Sequence, residues 1–429
     1  MSLKDELLKF SKEELVEIII QLTEKQQKLE AKFRQYENSN TPTSQIRFRK
    51  NTDNNDEKQD KNKPRFPGRP LGHKGSGIKI PKPDDTQEHK INKKGFVCIG
   101  KRTQYVIDFV DKPIIVTKHI IYSYRTPKGE IVEAPNDVPE NIYGKNIQAF
   151  ITLLRGISGV GHDKIASIIK SLRPDLTFCA ASSLALTDKL SKKAEPQRKR
   201  LIRKIREANY SQQDETGLRQ DGKNGYVWVF CNPETVLYEV SLLRSQEVPK
   251  RILGVDYNKP CVNDGWNAYN FLKKRQRCWP HLTRELDALA LEYNEALPQS
   301  LHLKEIYSKA KEAKKLPKKQ RMKMIEKFNS QAELQHIINV LRTTKGCKEF
   351  ATTLQNAQPH LFTGVEHPEV PLDNNFSERK LKPVITHRKN MGCIRNEKGK
   401  RFIENTLSLI ETWKLREQKV YDNLKKYAG

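Results

Sequence analysis

An α/β core with an all-α insertion is the fold class that this sequence predicts, and three observations carry it. Strand-like runs crowd between residues 209 and 264, helix-patterned segments fill about 282–362, and a polar tract separates both from an N-terminal helix. The chain has 429 residues, enough for two or three domains. Lys and Arg number 79 against 52 Asp and Glu, a net charge of +27. Such an excess favours a polyanionic partner, because phosphate contacts release condensed counterions. Nucleic acid is the first candidate. A membrane is not expected, since no run of about 18 apolar residues occurs and no signal-peptide pattern opens the chain. A cytoplasmic, nucleoid-associated protein is the expectation.

Residues 1–37 read as a helix opened by a capping box, Ser11 with Glu14. Leu8, Leu15, Leu22, Leu29 and Tyr36 recur every seven residues, which suits a short coiled coil. Lys25 and Lys32 break the second apolar row, so an amphipathic helix packed on its own domain is the competing reading. Residues 38–85 are polar and rich in Pro and Gly, a composition that cannot offset ordering entropy, and form a basic linker. Within it "PRFPGRPLGHKGSG" carries Arg65, Arg69 and Lys74 on a backbone able to enter a DNA minor groove. A solvated linker explains the same residues.

Residues 86–142 alternate as a small β module: "QYVIDFV", "IIVTKHIIYSYRT" and "GEIVEAP" are strands, with a hairpin turn at "TPKGE". Residues 143–208 are helical. Two short helices around Arg173–Phe178 fit a helix-turn-helix able to meet a major groove, although helical hairpins are common.

Residues 209–429 hold the chemistry. "YSQQDETG" is a strand ending in Asp214, "GYVWVFC" and "TVLYEVS" are two more, "SQEVPKRILG" is a short helix, and "KPCVNDGWNAY" is a strand ending in Asp264. A ribonuclease-H-like fold produces this order and sets its first and fourth strands side by side, so the two carboxylates become neighbours. Neighbouring carboxylates repel and stay ionised only around a cation. Magnesium, hard and oxygen-seeking, is the natural choice, and a third carboxylate on a later helix completes a two-metal site for in-line displacement at phosphorus.

Glu378, within "LDNNFSERKLKPVITHRKN", is the best third ligand and Asp373 the runner-up, with a surface ion pair as the bland alternative for Glu378. Arg379, Lys380, Arg388, Lys389 and Asn390 surround it as DNA contacts. Asp373 or Asn374 suits the N-cap of its helix, and Pro383 is expected to end or kink that helix. Glu215 should face away from Asp214, because successive strand residues alternate. Asp256 is expected in an exposed turn. Cys278 and His281 have a metal-like spacing but no second pair, so Trp279 and His281 are expected to pack or to contact DNA, and Trp266 to join the core. The lysines from Lys309 to Lys327 read as a solvated helical face, or as a support for DNA backbone. Seven scattered cysteines without a CxxC pair argue against a disulfide framework.

Taken in order, "DETG", "NDGWNAYN" with "RCWPHLTRE", and "DNNFSERKLKPVITHRKN" with "LSLIETWKL" closely resemble the transposases of the insertion-sequence 66 group, over roughly residues 145–425. The resemblance implies a ribonuclease-H-like DDE nuclease that cuts and rejoins the ends of its own mobile element. It implies Asp214, Asp264 and Glu378 as the catalytic, metal-holding triad, with Mg²⁺ as cofactor and Mn²⁺ as substitute. The partners it implies are double-stranded DNA, further copies of the chain assembled on that DNA, and accessory proteins of the same element. Many members carry cysteine pairs in the β module; here only Cys98 stands there, so no zinc is expected. A non-catalytic DNA-binding protein derived from a transposase is the alternative, and a nuclease acting on RNA–DNA hybrids a third.

Overall fold

The computed structural model describes residues 113–120, 122–125, 131–133, 141–329 and 332–428. The N-terminal helix, the linker with Arg65, Arg69 and Lys74, the strand "QYVIDFV" and Cys98 lie outside the described residues. Of "IIVTKHIIYSYRT" only β1 (Ser123–Arg125) is a strand among the described residues; it pairs antiparallel with β2 (Ile131–Glu133). Four helices follow: α1 (Lys145–Ser158), α2 (His162–Leu172), α3 (Ala180–Lys193) and α4 (Glu195–Glu207). Gly159 ends α1 in the left-handed region at φ 63°, its N–H bonded back to the Arg155 carbonyl, a cap that glycine adopts without strain.

The central sheet is assembled from β3 (Ser211–Gly217), β5 (Tyr226–Asn232), β6 (Thr235–Ser241), β7 (Cys261–Asn263) and β8 (Arg275–Arg277), in the order β6-β5-β3-β7-β8. β5 runs antiparallel to both β3 and β6, while β7 runs parallel to β3 and β8 parallel to β7. The short β4 (Arg219–Gln220) lies outside this sheet, and α5 (Glu247–Leu253) links β6 to β7. The first and fourth strands of the sheet are therefore neighbours. Asp214, expected at a strand end, instead lies within β3. Pairing with β7 stops at Gln212–Val262, but the ladder with β5 carries β3 on to Gly217. The polar β8 was not legible as a strand; Gln276 is buried in it, accepting from the Gly364 N–H and donating to the Leu361 carbonyl.

Strand alternation sends side chains to both faces of the sheet. Val227, Val229 and Cys231 enter one core, and Trp228 and Phe230 the other, with Leu190, Leu201 and Ile205 from the preceding helices. After β8 come α6 (Trp279–Glu292), α7 (Leu297–Lys314), α8 (Lys318–Asn329), α9 (Ala332–Thr343), α10 (Lys348–Ala357) and the single turn α11 (Thr363–Glu366). They close on a core of their own around Leu286, Ile306, Ile337, Leu341 and Phe350.

Next is α12 (Asn375–Met391), which contains Pro383. The sequence predicts that this proline ends or kinks the helix; it does not end it, and the helix continues to Met391. Leu381, Val384 and His387 are buried, and the apolar burial on the sheet outweighs the about 3 kcal/mol that an interior proline costs.

The chain closes with β9 (Cys393–Ile394), paired to β4, then α13 (Glu397–Arg401), a π-helical stretch Phe402–Leu407, α14 (Ser408–Leu415) and α15 (Val420–Lys425). The last helices seal the outer edge of β6. Backbone N–H groups of Val236, Tyr238 and Val240 donate to Thr412 Oγ1, Ser408 Oγ and Glu404 Oε1 at 3.0, 2.9 and 3.0 Å. Two strand residues rise about 6.7 Å and four helical residues about 6 Å, so the two repeats stay in step over three bonds. No described helix is long and apolar enough to cross a membrane.

Candidate active site

Parallel pairing of Gln212 with Val262 fixes the register between β3 and β7. Asp214 and Asp264 each lie two residues beyond that pair, Asp264 just past the end of β7, and the two carboxylates act on one another. Asp214 is buried, and its Oδ1 accepts from the Glu215 N–H at 2.8 Å. Asp264 is half-buried, and its Oδ1 accepts from the Trp266 N–H at 2.9 Å. The chain turns between them and the next segment at Gly265, φ 92°, where a β-carbon would fall 0.6 Å from a guanidinium nitrogen of Arg277.

Glu378 arrives on the first turn of α12, buried. Asn374, fully buried, sets that turn in place. Its Nδ2 donates to the Gln213 carbonyl at 3.1 Å, beside Asp214, and its Oδ1 accepts from Ser377 Oγ at 2.6 Å. Its backbone N–H meets Cys278 Sγ at 3.3 Å. Asp373 Oδ1 accepts from the Asn375 N–H at 3.1 Å, so this carboxylate serves the helix start. From α6, His281 Nε2 stands 3.6 Å and an Arg284 nitrogen 4.0 Å from Glu378 Oε1.

Electrostatics tie the three acids together. Burial, then Asp264, Glu215 and Glu378, hold the Asp214 carboxyl well above the ordinary carboxylate range. Burial, then Arg284, hold the His281 imidazole below its usual value, with Glu378 opposing. Glu215, itself raised by burial and then Asp264, is held by hydrogen bonds of its own: it accepts from Arg244 at 3.0 Å and from the Tyr269 hydroxyl at 2.7 Å. The Arg244 guanidinium lies 4.1 Å from the centre of the half-buried Trp266 ring.

The basic residues expected around Glu378 divide. Arg379 and Lys389 lie on the exposed side of α12. Lys380 Nζ is 3.7 Å from Glu411. Arg388 donates to the Gly217 carbonyl at 2.7 Å, and Asn390 Nδ2 donates to the Ser158 and Gly159 carbonyls at 3.2 and 3.1 Å. Sequence reasoning missed Arg277, Arg284 and Asn374 as neighbours of the acids and weighed His281 only for zinc, packing or DNA contact. The available signal was the spacing in "PHLTRE", since residues three apart share a helix face. Asp256 is exposed and Trp279 fully buried.

Among the described residues, no three His, Cys, Asp or Glu side chains converge closely enough to hold a metal ion in this arrangement. The donor chemistry nevertheless suits a hard divalent cation. The three groups are all carboxylates, and a cation between them offsets both the burial and the repulsion that raise Asp214.

Fold and site together define an α/β protein with an acidic cluster between a mixed sheet and a facing helix. A family model described as the transposase IS66 family matches residues 140–401, more than half of the chain, and the chain belongs to that family. Membership makes its function transposase-related and implies DNA as the substrate. No curated protein matches the chain.

Proposed function

We propose that the chain is a metal-dependent DDE transposase with a ribonuclease-H-like core, in which Asp214, Asp264 and Glu378 form the reacting centre. The observation that carries this reading is the electrostatic coupling of Asp214, on β3, to Asp264, just past the end of the adjacent parallel strand β7, and to Glu378 on α12. The sheet order β6-β5-β3-β7-β8 supports the ribonuclease-H-like part.

On this reading the three carboxylates hold Mg²⁺, or Mn²⁺ in its place, which when bound would supply charge and Lewis acidity at the scissile phosphate. Asn374 keeps Glu378 in register with Asp214. Arg277, Arg284 and His281 line the same region and balance its negative charge as phosphate enters. Arg379 and Lys389, exposed on α12, meet DNA backbone, and Arg65, Arg69 and Lys74 are further DNA contacts on this reading. The N-terminal heptads bring copies of the chain together on paired ends.

The test is Mg²⁺-dependent cleavage of a duplex carrying the genomic sequence on each side of the gene, by the wild type and by Glu378→Gln. Cutting at a discrete position by the wild type, with binding but no cutting by the variant, is the expected result. Binding without cutting by both would instead assign the chain to non-catalytic DNA-binding proteins derived from a transposase.

A further inference from the structure

A second basic site lies at the opposite end of α12 from Glu378. There α1, the starts of α2 and α3, and the β9–α13 segment enclose a pocket of about 580 Å³. Arg155 lines it and is only 6% exposed. One of its nitrogens donates to the Val160 carbonyl at 3.1 Å, another meets Met391 Sδ at 2.6 Å, and its guanidinium lies 5.2 Å from the centre of the Phe402 ring. Carbonyl, thioether and ring faces leave its charge formally uncompensated. No ion pair among the described residues involves Arg155, and burial lowers its pKa to about 10.

An uncompensated buried cation is costly, and folds ordinarily pair it with a carboxylate. Arg155 lines the pocket, which is therefore its open side. The other walls are arranged for an anion. His162 Nδ1 lies 2.9 Å from Ser183 Oγ, while its buried Nε2 has no hydrogen-bond partner. His162 and Ala180 open α2 and α3, and the starts of both helices are among the lining of the pocket. Arg395 stands exposed among the lining residues. Asp163 is the single carboxylate of the lining; it too is exposed, whereas Arg155 is buried.

We propose that this pocket binds a phosphate group, in the first place a backbone phosphate of bound DNA. The DNA source rests on the reading given under Proposed function; the phosphate chemistry does not. Helical rise from Glu378 to Asn390, which lines the pocket, is about 18 Å, the span of about five base steps of duplex. One duplex can therefore reach both places. The pocket would then fix the register in which a strand meets the acidic cluster.

The test has two arms, both on the full chain. In the first, binding of a labelled 30-base-pair duplex of mixed sequence is followed from low to high salt for wild type, Arg155→Gln and Arg395→Ala. Loss of one phosphate contact is expected to weaken binding and to lower the slope of log K against log[salt] by about one. In the second arm, melting is followed with added inorganic phosphate, which should raise the Tm of the wild type and not of Arg155→Gln. A changed slope identifies DNA backbone as the source; phosphate-dependent melting with an unchanged slope identifies free phosphate. Folded variants that match the wild type in both arms overturn the proposal. Should Arg155→Gln fail to fold, the exposed Arg395→Ala carries both arms. Neither arm reads cleavage, so failure of the acidic cluster to cut DNA and failure of this pocket to bind phosphate are separate results.

Discussion

Asn374 is where the sheet and the helix bearing Glu378 are joined, and its replacement is the sharpest test of how the acids are positioned. In Asn374→Ala the side-chain bond to the Gln213 carbonyl and the bond from Ser377 Oγ both disappear. Both partners are buried. Parallel pairing from β7 has ended one residue earlier, at Gln212. Leaving a buried polar partner unsatisfied costs about 1–3 kcal/mol. With two such partners, and Ser377 able to turn to the Asn374 carbonyl it already meets at 2.8 Å, the expected loss is about 2–4 kcal/mol. Asn374→Asp should cost more. It keeps the acceptor for Ser377 but sets a carboxylate oxygen against the Gln213 carbonyl, close to acids that already repel. Urea unfolding followed by circular dichroism, read as a midpoint shift at constant m, measures both variants. An alanine variant within 0.5 kcal/mol of the wild type, or an aspartate variant more stable than the alanine one, refutes the assignment of Asn374 as the tie.

Three further outcomes are expected. Gly265→Ala should destabilise by about 1–3 kcal/mol from its φ of 92° alone, and the displaced Arg277 should reduce DNA cleavage further; denaturation and cleavage assays on one preparation check both. His387, buried and beside Arg155, has its pKa lowered to about 4, so the folded state binds fewer protons than the unfolded chain. Its contribution is intact above an unfolded value of about 6.5 and is lost as pH falls towards 4, on the order of 3 kcal/mol in all. His387→Phe should flatten that part of the stability–pH curve, and an unchanged acid limb would contradict it. Mg²⁺ at about a hundredfold its Kd should stabilise the wild type by about 2.7 kcal/mol and Glu378→Gln by clearly less; equal melting shifts would remove Glu378 from the metal site.

The β-rich part of the sheet was legible because its strands alternate between two buried faces. Val227, Val229 and Cys231 against Trp228 and Phe230 leave little room for another reading. The sequence predicts a strand that ends in Asp214, whereas β3 runs on to Gly217. Its extended form comes from the β5 ladder, a partner that local propensity does not contain. Gln276 on β8 was hidden for a related reason: its burial is met by hydrogen bonds to residues 361 and 364, far along the chain. At the site, the acids stood out by charge among basic neighbours. Asn374 was legible only as a helix start; its tie to the sheet was not, because the partner is a backbone carbonyl and such a bond leaves no trace in composition. Pro383 shows the limit of a local rule, since a helix held along a buried face tolerates the lost bond.

The seal along β6 also sets a schedule. The strand at the edge of the sheet is complete at Ser241, but the residues that occupy its N–H groups, Glu404, Ser408 and Thr412, come 164–176 residues after their partners. At ribosomal rates of about 5–20 residues per second, that is roughly 10–30 s of synthesis. Throughout that interval the nascent sheet presents open donors to any extended segment nearby, the condition under which edges pair wrongly. Chains terminated before Glu404 never leave it. They should be recovered as aggregates rather than as smaller soluble proteins, and the final helices act as the step that releases the chain as a single folded molecule.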